Sequence, residues 1–453
     1  MQKNEVISLD IEGMTSEGQG VGRVDGMAVF VPGALPDERV QAHIIKVQKR
    51  YAIAKCLEIV EKSPARVVPR CPVFGRCGGC QLQHMDYAAQ LRYKRQQVID
   101  ALERLGGFRD DVGSRIAKCM GMAHPWEYRN KASIPCANGT EGIELGFYAQ
   151  RSHRIVAVED CPLQEVRLSS VLAAVKNWAQ EHALRAYDET TKRGLLRHVF
   201  LRNAPNGDCM AVIVTTGDLP HADTLQKNLS DALPGLVSLI HNRNTREDNV
   251  ILGTEYYTVW GKERLDVALD GLSFAVSAAS FMQVNTSQSE RLYRTALDML
   301  EWRGDERVID AYCGMGTLTE FAARRCAQAT GVESIPQAVE DAQKNAERNG
   351  ISNADFICAE AERELPRRVE SGEKIDALLL DPPRKGCDPA LLEAAIASNT
   401  PRILYISCNP ATQARDAKAL AEGGYDLIAG QPVDMFPQTA HVENILRFEK
   451  RSK

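Results

Sequence analysis

Apolar and polar positions alternate in short runs at the start of the chain and gather into solid apolar runs near its end, so the period itself divides the sequence. Val6–Ile11 and Met27–Leu35 alternate and are separated by glycines at 13, 18, 20, 22 and 26. Strands this short, punctuated this way, predict a small β-barrel over residues 1–61. The next stretch, His43–Val60, sets Lys46, Lys49, Arg50 and Lys55 around Tyr51. That pattern suits a surface that meets phosphates and stacks a base, and equally a strand edge guarded by lysines. Within Ala88–Phe108, Leu91, Ile99, Leu102 and Leu105 recur at helical spacing, with Arg92, Lys94 and Arg95 crowded at one level as a candidate RNA contact. From about residue 305 the apolar runs Arg307–Cys313, Gln328–Ser334, Ala354–Glu360, Lys374–Asp381 and Arg402–Cys408 alternate with helix-like segments beginning at Phe321, Pro336, Pro389 and Pro410. Strands alternating with helices predict an α/β, doubly wound parallel sheet, which binds ligands beyond the carboxyl ends of its strands.

Length adds that 453 residues exceed one ordinary core. The expected division is a barrel (1–61), a central α+β region (62–270) with a cysteine-rich knot and hairpin-like strands, and a carboxyl-terminal sheet domain (271–453). Hydrophobic and charged contents of 44% and 25% are those of a globular protein. No membrane-length apolar run or signal-peptide core is visible, so a cytoplasmic protein is expected. Thirteen cysteines in a reducing compartment point to metal-binding or catalytic thiols rather than disulfides. The net charge of −5 excludes no partner, because a local basic patch binds phosphates on an acidic protein.

The chemistry sits at the strand ends. After the first sheet strand come Tyr312, Cys313, Gly314, Met315 and Gly316, a loop that lets a ligand approach the backbone. The second strand ends in Glu333, placed to accept ribose hydroxyls. Thr319 stands where a dinucleotide fingerprint needs its third glycine, and no triphosphate-binding GKS or GKT triplet occurs. S-adenosylmethionine, with a ribose and no phosphate, fits better, and Asp310 would favour its ammonium group. The fourth strand ends in Asp381, followed by two prolines that fix a rigid turn. The fifth ends in Cys408, halted by Pro410, at the ligand edge rather than mid-strand where a structural thiol packs best. In the sheet usual for methyltransferases the last strand inserts antiparallel beside the fifth, which brings Glu443 toward Cys408; His441 reads as a surface-loop histidine. A thiol, a carboxylate and a methyl donor suit methylation of uracil carbon 5, with the thiolate adding at carbon 6 and the carboxylate removing the carbon 5 proton.

The motifs SCNP at Ser407, DPPRKG at Asp381, DAYCGMGTLT at Asp310, FMQVN at Phe281 and HVENI at His441 together resemble the S-adenosylmethionine-dependent RNA uracil-C5-methyltransferases, and the amino-terminal barrel resembles a TRAM domain. The resemblance implies a class I methyltransferase fold with an OB-like barrel, Cys408 as nucleophile and Glu443 as base. It also implies cofactor contacts from Gln283, Tyr312, Glu333 and Asp381. Thr317 stands where the family often has asparagine. Cys71, Cys77, Cys80 and Cys161 could by spacing hold zinc or an iron-sulfur cluster. Their pattern resembles the 4Fe-4S ligand set of the ribosomal-RNA members, implying a cluster that staples the RNA-binding region. The expectation is a monomer that modifies one uridine, with 23S ribosomal RNA as substrate. Transfer RNA is the alternative substrate. Different classes are an exocyclic-amine methylase, which usually has an aromatic residue where Arg384 stands, and a non-catalytic iron-sulfur RNA-binding protein.

Overall fold

The structure is a computed structural model that describes residues 1–109, 111–140 and 142–452. The alternating amino-terminal segment forms a six-stranded sheet with spatial order Val6–Asp10, Arg39–Val47, Tyr51–Glu61, Met27–Pro32, Gln19–Val24, Gly13–Met14. Alternation sends Leu9, Val29, Val31, Val40, Ile44 and Ala54 into one core, while Lys46, Lys49, Arg50, Tyr51 and Lys55 stay exposed. Register shifts along the long hairpin, as between Gln41 and Ala42, bend it over that core.

A second sheet of seven strands runs from Glu255–Gly261 through Leu236–Arg243, Cys209–Thr215, Leu196–Asn203, Lys131–Gly139 and Gly142–Tyr148 to Ile155–Ala157. One face packs on the helices Leu168–Glu181 and Ala222–Ala232 around buried Trp178. The other turns Phe200, Met210, Val212 and Ile240 toward the hairpin Leu265–Val276 and the carboxyl-terminal sheet, with which they share a core.

The third sheet carries the chemistry. Its strands are β1 (Arg307–Ala311), β2 (Gln328–Glu333), β3 (Ala354–Cys358), β4 (Ala377–Leu380), β5 (Arg402–Ser407), β6 (Tyr425–Val433) and β7 (Glu443–Lys450). They lie in the order β3-β2-β1-β4-β5-β7-β6. All pairs are parallel except those of β7, which runs antiparallel to β5 and β6. Solid apolar runs form β4 and β5 because both faces are covered. Three helices matter for the site: α1 (Tyr87–Arg104), α2 (Thr286–Asp298) and α3 (Pro410–Glu422).

The fold departs from the sequence expectations at four points. Two of the three basic residues of α1 are not free for RNA: Lys94 is fully buried, with its Nζ 2.5 Å from Asp434 and 3.0 Å from the Phe436 carbonyl, and Arg95 donates to the carbonyls of Gly113 and Ile116, while Arg92 is exposed. Val98, Ile99 and Leu102 of α1 share a core with Leu378, Ile403 and Tyr405, so this helix covers the carboxyl-terminal sheet. Leu105 is 52% exposed just past its last turn. The first crossover helix spans Thr317–Ala323 rather than starting at Phe321, and an unexpected helix spans Ala361–Glu370 with Pro366 inside it.

α1 also holds the segment leading to β7. Gln90 Nε2 donates to Gln438 Oε1 and the Gln438 amide donates back to Gln90 Oε1, both at 3.0 Å; Gln97 donates to the Ala440 carbonyl at 3.0 Å. Gln438 adopts φ 69°, a conformation uncommon for a non-glycine residue that persists only under such restraint.

Candidate active site

Cys408 follows the last residue of β5 and precedes Asn409, whose Oδ1 accepts from the Ala411 amide at 3.1 Å and caps α3. Pro410 enters the first turn of that helix, where a missing N–H costs nothing. The proline that ends the strand thus begins the helix, and Cys408 is held on a tight strand-to-helix turn. Asn409 Nδ2 also donates to the Arg384 carbonyl at 3.0 Å and Thr412 Oγ1 to the same oxygen at 3.2 Å. These bonds tie the loop after β4 to the turn after β5. Gly386 in that loop has φ 84°, and a Cβ there would lie 2.6 Å from Asp416 Oδ2, so the loop lies against α3 only with glycine at this position.

Pairing of Ser407 with Asn444 across β5 and β7 sets Glu443 beside Cys408. Glu443 is 4% exposed and its Oε2 has no hydrogen-bond partner. Burial holds its carboxyl well above the ordinary carboxylate range; Asp381 adds to the rise and Arg384 opposes it. The half-buried Cys408 thiol is raised by burial and then by Glu443, while the Arg384 guanidinium pulls it down. Asp381 is pushed up to about 7 by burial. Asp310 accepts from Thr319 Oγ1 at 2.6 Å through Oδ2, keeps Oδ1 without a partner, and is pushed up to about 8, by burial first. The buried Tyr293 hydroxyl of α2 faces Asp381, Glu443 and Asp310 and is raised by burial and by them. Three carboxyl groups therefore share one crevice with one exposed guanidinium, an environment that favours a cationic ligand.

The adjoining half of the crevice is built by β1 and β2. Tyr312 leaves β1 at φ 69°, and its amide is held by the Val332 carbonyl at 3.0 Å. Glu333 accepts the Gly314 amide at 3.2 Å and the Ile335 amide at 2.8 Å. At Gly314, φ is 56° and a Cβ would meet nothing within 4 Å, so the loop opens onto free space beside Glu333. That cradle, the orphaned Asp310 oxygen and the carboxyl-lined crevice fit the ribose and the cationic centres of S-adenosylmethionine.

Of the residues expected at the site, Cys408, Glu443 and Asp381 converge. Gln283 bears on Tyr293, its carbonyl fixed by Asn130 Nδ2 at 3.0 Å. Tyr312 and Glu333 line the neighbouring half. His441 is exposed. Sequence reasoning missed Arg384 and Tyr293 as members of the site. A cation directly after two prolines was a usable signal for the first; Tyr293, on the buried face of α2, looks like any core aromatic.

Cys71, Cys77, Cys80 and Cys161 line one cavity of about 70 Å³ together with Phe74 and Arg129. The Gly79 amide donates to Cys77 Sγ at 3.4 Å. Arg129 Nε is buried without a partner. Among the described residues, no three or more His, Cys, Asp or Glu side chains group so as to hold a metal ion. The expected ligand set therefore surrounds a common space without being drawn in around one ion. Through Gln81 and Leu82, whose amides donate to the Gln438 carbonyl, this segment touches the loop that leads to Glu443.

Residues 128–451 match the family model described as tRNA (uracil-5-)-methyltransferase, and residues 2–57 match that of the TRAM domain. An uncharacterized RNA methyltransferase of Halalkalibacterium halodurans is 44% identical, with 100% of this chain and 98% of the relative covered. One from Clostridium tetani is 42% identical over 98% of this chain and 96% of its own. Among solved structures, the tRNA (uracil-54, C5)-methyltransferase of Pyrococcus abyssi, in complex with S-adenosyl-L-homocysteine, superposes with a TM-score of 0.77 at 26% identity, covering 98% of this chain and 100% of the other. The crevice beyond β1, β2, β4 and β5 is thus that of a known enzyme class, and the chain belongs to the RNA (uracil-5-)-methyltransferase family, whose reaction depends on S-adenosylmethionine.

Proposed function

We propose that this enzyme methylates carbon 5 of one uridine in 23S ribosomal RNA, with Cys408 as nucleophile and Glu443 as base. The observation that carries the chemistry is the placement of Glu443 beside Cys408 by the β5–β7 register. The Cys408 thiolate adds to carbon 6 of the uracil, and the displaced electron pair makes carbon 5 nucleophilic. S-adenosylmethionine, when bound, would supply the electrophilic methyl group to carbon 5, the S–CH3 bond breaking so that S-adenosylhomocysteine leaves. Glu333 would accept its ribose hydroxyls, Asp310 and Asp381 would offset its cationic centres, and Gln283 and Tyr312 would complete its walls. Once carbon 5 is methylated, Glu443 takes its proton; the freed pair restores the 5,6 double bond and expels the thiolate. Arg384 sits where it stabilises the thiolate before addition and after release. The uridine must leave its stack to reach this crevice, which favours a single-stranded or loosely paired target.

Ribosomal RNA is favoured by the resemblance of the four-cysteine pattern and of the barrel to the ribosomal-RNA members. A transfer-RNA substrate is the second reading, favoured by the matching family model and the Pyrococcus abyssi neighbour, both described as tRNA methyltransferases. RNA from cells lacking the protein, incubated with the enzyme and methyl-labelled cofactor, is expected to carry label at carbon 5 of a single uridine in 23S ribosomal RNA. Label confined to transfer RNA would transfer the assignment to the second reading.

A 4Fe-4S cluster on Cys71, Cys77, Cys80 and Cys161 belongs to the same proposal. Zinc and a 4Fe-4S cluster both accept four thiolates; the cluster is favoured by the resemblance of the cysteine pattern to the ribosomal-RNA members, and the four thiols line one cavity. The half-buried Arg129 would offset thiolate charge, and the Gly79 amide, which donates to Cys77 Sγ, would help hold that sulfur in place. Protein purified without oxygen is expected to be brown with about four irons per chain, and Cys80→Ser to be colourless; a colourless, zinc-loaded wild type would refute the cluster.

A further inference from the structure

The face of the central sheet that looks toward the methyltransferase core carries two cations that no part of the mechanism uses. Lys131 and Arg202 stand directly opposite each other on neighbouring strands. The ring of Phe200 lies beside both, 6.0 Å from Lys131 Nζ and 5.6 Å from the Arg202 guanidinium carbon. Arg202 is 4% exposed; Nη2 donates to the Ser280 carbonyl, and Nε has no partner. Burial, then Arg202, then Arg129 push Lys131 down to about 8. Burial pushes Arg202 down to about 10, with Tyr256 acting against the fall. Among the described residues neither cation forms an ion pair, and no carboxylate appears among the groups acting on them. Two like charges kept together under such burial are unfavourable until an anion joins them.

The position of the pair identifies the anion. Asn130, next to Lys131, donates its side-chain amide to the Gln283 carbonyl and its backbone amide to the Val284 carbonyl at 2.9 Å. Arg202 holds Ser280, three residues before Gln283. Lys131 and Arg202 therefore border the segment that forms one wall of the catalytic crevice. An RNA strand that lowers a uracil toward Cys408 would bring its backbone phosphates toward this segment. We propose that Lys131 and Arg202 form a phosphate subsite that grips the RNA backbone beside the target uridine and so positions the base. The inference rests on the reading of RNA as substrate. The cofactor carboxylate is the other anion the reaction brings, and it is separated from RNA phosphate by experiment.

The test uses the full-length protein, a fluorescent single-stranded oligouridylate and S-adenosylhomocysteine as probes. Each phosphate contact contributes a slope of about 0.7 to the dependence of log affinity on log salt for single strands. For Lys131→Gln the slope is expected to fall by about 0.7, with Lys131→Arg restoring it and S-adenosylhomocysteine affinity unchanged in both. A loss of packing alone would not move the salt slope selectively. An unchanged slope in Lys131→Gln, with RNA still bound by wild type, overturns the subsite and leaves the substrate reading intact. Weakened S-adenosylhomocysteine binding with an unchanged slope assigns the cations to the cofactor carboxylate and equally overturns it. Failure of the wild type to bind or methylate any RNA overturns the substrate reading, and the subsite with it.

Discussion

Cys408→Ala will lose methyl transfer to RNA by a factor on the order of 10⁴ or more, the scale seen when a nucleophile is deleted from a covalent mechanism. Carbon 5 of uracil does not attack a methyl group until carbon 6 has been saturated, and no other thiol among the described residues lies where Cys408 does, between Glu443, Arg384 and Asp381. The side chain ends a strand at a half-exposed turn, so its truncation leaves the β5 core untouched. The variant should keep the wild-type melting temperature and its affinity for S-adenosylhomocysteine. The sign of the pH dependence follows from the same surroundings. The reacting form is the thiolate, and burial together with Glu443 holds the thiol above its ordinary range, so wild-type kcat/KM should rise as pH is raised from neutral. Retention of appreciable activity by Cys408→Ala would point to amine methylation, in which no thiol is needed.

Glu443→Gln should stall the reaction after methylation instead of before it. Glutamine keeps the shape of the side chain and removes its capacity to take a proton. Loss of a positioned general base costs roughly 10²- to 10⁴-fold, so turnover falls while addition and methylation continue. The enzyme then accumulates as a covalent adduct between Cys408 and methylated RNA, visible as a slowly migrating protein-RNA band that resists denaturation. The band should vanish in the double variant Cys408→Ala, Glu443→Gln. A Glu443→Gln enzyme with near-normal turnover, or a slow enzyme forming no adduct, would remove Glu443 from the role of base. The wild-type side chain is suited to the task by its setting: buried, with Oε2 unpartnered and its carboxyl held well above the usual range, it is a stronger base than a solvated glutamate.

Much of this site was legible in the chain because it lies on a sheet buried on both faces. Such strands must be unbroken apolar runs, so their ends, and the polar residues beyond them, stand out in the sequence as Tyr312, Glu333, Asp381 and Cys408 do. The approach of Glu443 to Cys408 followed once the last strand was placed antiparallel beside β5. The helix Ala361–Glu370 was hidden by Pro366 and by its density of charge. The partner of Lys94 was hidden by distance along the chain, since Asp434 is 340 positions away and a lysine among basic neighbours on a helix looks solvated.

By itself the sequence determined most strands of the catalytic sheet and the chemical groups at their ends, because local periodicity dictates which face of each element is apolar. Tertiary structure alone decided which polar groups lost their water. It buried Lys94 against Asp434, gathered Asp310, Asp381 and Glu443 with Tyr293 into one crevice, and set Lys131 opposite Arg202. Desolvation and charge pairing depend on distances between residues far apart in the chain, and no local pattern encodes those distances.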